Sequence, residues 1–246
     1  MPSVRAEFIF RYMRAEVSNV IRPVCLLLCA ASVLINARAQ QTTGQQPATQ
    51  TQQEAPPVKK NARPAAEEAA QGEPFDKATV EQMSKQCVML DTDEGLIRIE
   101  MLAEAAPETV RNFLNLAATG AFDTTTFSRV VKGFVIQGGN LATRAKLTPE
   151  LMRRMTRVVP DEPNAVKHVR GVVSMARSDK PNSATTNFFI LVSEAPHLDG
   201  TFAAFGRVSA GMDVVDKING AELDGEKPKV PVAVKRASVV PCASLP

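Results

Sequence analysis

Apolar and polar positions begin to alternate near Lys85, and from there the elements can be predicted one by one. Cys87–Thr92 and Leu96–Met101 flank Asp93-Glu94-Gly95, and in the second run Ile97, Ile99 and Met101 alternate with Arg98 and Glu100. A period of two around a Gly-containing turn predicts a hairpin. Beyond Pro107 the period lengthens: Val110, Phe113, Leu114 and Ala117 fall on one helical face, and Gly120 ends it. Strands are predicted over residues 125–131, 134–137, 171–176, 187–192, 202–208 and 232–240, with a second helix in "AGMDVVDKI" stopping at Asn219-Gly220. The long connection from Asn140 to His168 contains "LTPELMRRM", where Thr148 as a cap and Pro149 behind it predict one or two helical turns. Eight short strands with two helices predict a mainly β fold, an antiparallel barrel or sandwich.

The segments before Lys85 have another texture. Residues 1–39 carry Arg5, Arg11, Arg14, Arg22 and Arg38 against Glu7 and Glu16. The basic stretch ends at Arg22, the apolar run Val24–Ile35 follows, and Ala37-Arg38-Ala39 supplies a small-residue cleavage site. This is the pattern of a secretory signal peptide. The run is shorter than the ~20 residues of a spanning helix. The expectation is an exported protein, periplasmic or secreted, with no membrane span once the signal is removed; an uncleaved anchor is the alternative. Residues 40–84, rich in Gln, Ala and Pro, have little to bury and are expected to form a disordered tether. That leaves 85–243 as the folded domain. Without the five arginines and two glutamates of the first segment, the 29 basic and 26 acidic residues fall to 24 of each. No basic stripe points to nucleic acid.

Cys25 and Cys29 belong to the signal, so Cys87 and Cys242 remain, near opposite ends of the domain. In an oxidising compartment they bridge if the first and last strands lie side by side, as in a closed barrel. Otherwise they are two separate thiols. His168 and His197 cannot complete a metal site with these neighbours, and no Ser or Cys stands in a nucleophile motif. His168 is expected to be an exposed loop residue. Neither a metal nor a cofactor is expected.

Three blocks, "FSRVVKGFVIQGG", "RGVVSMARSDKPNSATTNFFI" and "HLDGTFAAFG", together resemble the cyclophilins, which are peptidyl-prolyl cis/trans isomerases, over about residues 88–240. The "MAR…SAT" form and the missing glycine-rich stretch after "QGG" resemble the bacterial exported branch. The resemblance implies an eight-stranded antiparallel closed barrel capped by two helices. It further implies a cofactor-free monomer acting on Pro-containing segments of unfolded or exported proteins.

Position by position, the resemblance makes Arg129 the donor to the prolyl nitrogen and Gln137 a hydrogen-bond partner of the substrate backbone. Phe134, Phe189 and Leu198 match the proline pocket, and Ala176 matches a position whose backbone pairs with the peptide. The rest of the expected surface departs from the usual pattern: Val135 replaces methionine, Arg177 asparagine, Asn187 glutamine, His197 tryptophan and Phe202 histidine. Strict alternation puts Val135 and Gln137 on one face and Phe134 on the other. For Phe134 to join the site, the strand must twist, bulge or begin there.

The chemistry suits such a residue set. Rotation about an X-Pro bond faces a barrier of ~18–20 kcal/mol because the nitrogen lone pair is delocalised into the carbonyl. No bond has to be made or broken, so a donor aimed at the nitrogen and a dry pocket for the ring suffice. The alternative function is a chaperone of the same fold that binds peptides with little turnover. Arg129 favours the enzyme, since binding alone does not require a donor over the prolyl nitrogen.

Overall fold

The ladders follow from the predicted alternation. In the computed structural model, which describes residues 72–244, β1 (Gln86–Thr92) and β2 (Gly95–Met101) form the expected hairpin, with Leu90 opposite Ile97 and Val88 opposite Ile99. The other strands of the main sheet are β3 (Arg129–Val131), β4 (Val135–Gly138), β5 (Val172–Met175), β6 (Phe188–Leu191), β7 (Ala204–Ala210) and β10 (Val234–Pro241). A separate two-stranded hairpin, β8 (Leu223–Asp224) with β9 (Lys227–Pro228), was not predicted; two residues per strand are too few to display a period.

The main sheet has the order β10-β1-β2-β7-β5-β6-β4-β3 and is antiparallel throughout. Its two edges meet through the segments that lead into β3 and β10. There the Thr124 amide donates to the Val234 carbonyl at 2.7 Å, and the Phe127 amide donates to that of Val232 at 3.0 Å. The predicted strand over 125–131 is therefore shorter as a ladder, and its first half serves to curl the sheet shut. The mainly β, eight-stranded antiparallel architecture is as expected.

Among the described residues four α-helices accompany the sheet: α1 (Val80–Ser84), α2 (Pro107–Ala118), α3 (Pro149–Thr156) and α4 (Met212–Asn219). The predicted helices correspond to α2 and α4, and the predicted turns after Thr148 to α3. Phe113 of α2 sits 5.2 Å from Phe122, 5.2 Å from Phe188 and 4.8 Å from Phe205, all fully buried. This aromatic centre lies on the inner face of the sheet with Val88, Leu90, Ile97, Ile99, Ile136 and Ile190. Removal of such side chains from water is the main stabilising contribution. The N-terminus of α2 has no capping side chain of its own; instead the Glu162 carboxylate accepts from the amides of Glu108 (3.0 Å) and Thr109 (2.7 Å).

The folded unit begins earlier than the predicted boundary at residue 85. Residues 72–84 are part of the folded unit, with Met83 fully buried and Phe75 and Val80 packed on the core. Arg111 of α2 donates to the carbonyls of Phe75 (2.6 Å) and Ala78 (2.8 Å), and Asn115 accepts from the Phe75 amide. Thr79 and Gln82 close a capping box around the start of α1. A few apolar anchors and bonds from a distant helix are invisible in a composition-based boundary. The expected signal and the rest of the expected tether lie outside the described residues. Among the described residues no helix is long and apolar enough to cross a membrane.

β1 and β10 pair along their length, with Cys87 opposite Val240, and Cys242 follows two residues later. Cys87 and Cys242 form a disulfide with a Cα–Cα distance of 5.0 Å across a sequence separation of 155. Of the two alternatives, the bridge is the one the structure holds.

Candidate active site

Strands β4, β5 and β6 are buried on both faces, and that doubles their content. Ile136, Val173, Met175, Phe188 and Ile190 point into the aromatic core, while Val135, Val172, Phe189 and Leu191 belong to a second apolar cluster on the opposite face. Ala195, Leu198 and Ala204 complete that cluster, and Phe134, Ala176 and Phe202 pack against it from partly exposed positions. The run "FFIL" thus serves two surfaces in alternation. The expected pocket residues Phe134, Val135, Phe189, Leu198 and Phe202 are brought together in this outer cluster.

One cross-strand row organises the polar part. Arg129 on β3 stands opposite Gln137 on β4, Gln137 opposite Phe189 on β6, and Phe189 opposite Ser174 on β5. Directly opposed residues of neighbouring strands are within contact reach, so the register alone places the expected donor, the expected substrate-binding amide and a pocket ring side by side. Arg129 Nη1 donates to Gln137 Oε1 at 3.3 Å. The question about Phe134 is settled by where the strand starts: β4 begins at Val135, and Phe134 sits in the turn, its amide donating to the Val131 carbonyl. Freed from the alternation, its ring reaches the same face as Val135. Just past β4, Gly139 has φ +81, and a Cβ there would collide with the Thr186 carbonyl, so the second glycine of "QGG" is a steric requirement.

The rim is built from the departures. His197 is exposed and stacks on Phe134 with ring centroids 5.7 Å apart. Phe202 meets Phe189 edge-on at 5.9 Å, and the Arg177 guanidinium lies 5.0 Å above the Phe202 ring. Arg177 also donates to the carbonyls of Ser178 (3.1 Å) and Thr201 (3.3 Å). It therefore acts as a brace across the rim, which an asparagine is too short to span. The Ala176 amide donates to the Asn187 carbonyl at 3.0 Å, so Asn187 is tied to the rim through its backbone.

Two features of the site were missed in the sequence. Glu226, in the turn between β8 and β9, accepts from Arg129 Nε at 2.7 Å. A glycine at the first turn position, Gly225 before Glu226, does suit a two-residue hairpin turn, but nothing local ties that turn to Arg129, 97 residues away.

The second is His168, expected in an exposed loop and found with its side chain fully buried. Its Nδ1 lies 3.2 Å from Asp199 Oδ1 and its Nε2 3.2 Å from the buried Ser174 hydroxyl. An ionised carboxylate only accepts, so Nδ1 carries the proton and Nε2 accepts from Ser174. The backbone amide of His168 bonds the same Asp199 oxygen at 2.8 Å, and its carbonyl accepts from Ala195 at 2.7 Å. The histidine is thus a buried strut under the loop that carries Leu198. Ser174 is sealed from solvent, so the Asp–His–Ser chain is no hydrolase site.

This burial predicts a pH effect on stability. Desolvation holds the His168 pKa below its ordinary value, against the opposing pull of Asp199. In the window just below about pH 6.5, the unfolded chain therefore binds a proton that the folded one refuses. Stability is full above that window and falls as pH drops through it. At lower pH the loss continues, because Asp199 is held below the usual carboxylate range, chiefly by the His168 amide. Urea midpoints of the wild type should drop between pH 7.5 and 5.0, and His168→Asn should flatten that upper part of the curve. An equal slope in both proteins would contradict the assignment.

A family model for cyclophilin type peptidyl-prolyl cis-trans isomerase/CLD matches residues 87–239. Peptidyl-prolyl cis-trans isomerase cyp18 of Streptomyces antibioticus is 34% identical over 168 residues, covering 62% of this chain and 98% of that protein. Peptidyl-prolyl cis-trans isomerase B of Escherichia coli (strain K12) is 38% identical over 143 residues, covering 54% of this chain and 84% of the relative. Among solved structures, a cyclophilin type peptidyl-prolyl cis-trans isomerase of Cryptosporidium parvum, crystallised in the presence of the dipeptide ala-pro, aligns with a TM-score of 0.55 at 29% identity. That alignment covers 63% of this chain and 98% of the other. With the family model matched from β1 to β10, the chain belongs to the cyclophilin-type peptidyl-prolyl cis-trans isomerases.

Proposed function

We propose that this protein catalyses X-Pro rotation in the groove formed by the outer apolar cluster and the Arg129–Gln137–Phe189 row. The observation that carries the reading is the register: a guanidinium, an amide and a pocket ring stand on adjacent strands beside an apolar cluster. The prolyl ring rests among Phe134, Val135, Phe189 and Leu198. Gln137 and the backbone near Ala176 hold the peptide on either side of the bond. Arg129 donates to the prolyl nitrogen as the bond twists, localising the lone pair and lowering the double-bond character that sets the barrier. A donor made useful only by the twisted state accelerates the step without tightening ground-state binding.

We further propose that the protein acts after export, on Pro-containing segments of unfolded or newly exported chains. The signal-like residues 1–39 support this, and so does a disulfide, since such bridges persist in oxidising compartments. The bacterial relatives support placement near their branch. The test is cis-to-trans exchange of a short X-Pro peptide with the intact protein. Uncatalysed exchange takes tens to hundreds of seconds, so turnover is easily seen above background. Tight peptide binding by a folded protein without acceleration would establish a holdase instead.

A further inference from the structure

Arg129 is gripped from two sides, and the shorter grip comes from outside the three sequence blocks. The Nε–H donates to Glu226 Oε2 at 2.7 Å, whereas Nη1 donates to Gln137 Oε1 at 3.3 Å. The guanidinium has five N–H bonds. Glu226 engages one of them and Gln137 another, which leaves three not taken by this pair of partners. We propose that Glu226 is a positioning residue for isomerisation: its carboxylate fixes the edge of the Arg129 guanidinium, so that the remaining donors are aimed over the groove before substrate arrives. The proposal rests on the reading of Arg129 as the donor.

Three observations make Glu226 more than a chance surface partner. The side chains of Arg129 and Glu226 are 18% and 28% exposed, so the pair is shielded from the screening that weakens fully solvated ion pairs. The bond engages Nε, the one guanidinium nitrogen next to the alkyl stem, so it holds the head group without occupying either Nη nitrogen. The turn carrying Glu226 is fixed independently of that side chain. The Val130 amide donates to the Glu226 carbonyl at 2.8 Å, Asp224 pairs with Lys227, and Gly225 takes the left-handed φ of +62 that the turn needs. The hairpin β8–β9 thus docks beside β3 through its backbone and delivers a carboxylate to the Nε edge of the donor.

A long side chain held at one geometry loses rotamer freedom before the reaction rather than during it. Without the carboxylate, that ordering has to occur in the transition state. The expected result is that Glu226→Ala lowers kcat/KM by about tenfold, almost entirely in kcat, with peptide Kd changed less than about twofold. Glu226→Gln, which keeps an oxygen acceptor for Nε–H, should recover most of that loss. In an Arg129→Ala background, Glu226→Ala should have no further effect, because there is no guanidinium left to position.

Isomerisation rates and peptide affinities of the intact protein, its three single variants and the double variant decide the matter, with urea midpoints confirming that each is folded. An unchanged kcat in Glu226→Ala would overturn the proposal, as would an alanine and a glutamine variant equally slow. A further loss in the Arg129→Ala background would make Glu226 merely structural and overturn it too. These outcomes leave the donor reading standing. Wild-type turnover by Arg129→Ala would instead remove the reading beneath the proposal.

Discussion

Arg129→Ala is expected to slow turnover by ~10²–10³, the range associated with loss of one preorganised transition-state donor. The expectation is sharp because so little else in the groove can substitute. Gln137 stands opposite Arg129, but a neutral amide donates more weakly than a guanidinium. Affinity for the peptide should change far less, since the apolar cluster around Phe189 and Leu198 is untouched. The chain should remain folded, for Arg129 lies on β3, a three-residue edge strand, and contributes nothing to the aromatic core. The measurement is kcat and KM for a short X-Pro peptide beside direct peptide binding. Parallel losses in turnover and affinity would make Arg129 an anchor and refute the donor role.

The second large effect concerns stability. Reducing Cys87–Cys242, or replacing Cys242 by alanine, is expected to cost about 2–5 kcal/mol. The reasoning is the length of the loop: the bridge spans a separation of 155, and the unfolded chain loses freedom that grows with the logarithm of that length. Cys87 is fully buried and packs as a small hydrophobe even when unpaired, so Cys242→Ala isolates the crosslink with the least damage to packing. With a slope of about 2 kcal/mol per molar urea, the midpoint should fall by about 1–2.5 M. Wild type in reductant should match the variant, and the variant should be indifferent to reductant. A wild-type midpoint unmoved by reduction, with both thiols shown to be free, would defeat the expectation. Turnover in the absence of urea should persist, because the bridge ties β1 to the end of β10 while the groove lies on β3 to β6.

Periodicity made the barrel legible wherever strands were long enough to show it. Ile97, Ile99 and Met101 announced β2 because one of its faces is wetter than the other. "FFIL" gave a strand but not its double role, since a segment buried on both faces has no alternation to display. The groove residues were legible only in blocks, through resemblance; individually, Phe189 or Leu198 looks like any core residue. Phe134 joined them because a strand boundary fell one residue later, and boundaries are what local patterns define least.

What escaped was long-range. His168 looked like a loop histidine because its partners, Asp199 and Ser174, reach it only once two loops and β5 are assembled. Residues 72–84 looked like spacer because Arg111 and Asn115, which hold them, belong to α2. Glu226 carries no local mark of its task at all. In each case the information lies in a contact between distant segments, which no window along the chain contains.

The neighbourhood of β1 and β10 has a consequence for synthesis. The strand made first is completed by the strand made last, so β1 waits with a single neighbour, β2, while the intervening chain emerges. At about 5–20 residues per second, that delay is on the order of 10–30 s. Throughout it the barrel is a nascent sheet with an open edge, able to pair with another unfinished copy. A polypeptide whose task is to hasten the maturation of others must therefore pass through its own interval of vulnerability, and only the final residues of its domain end it.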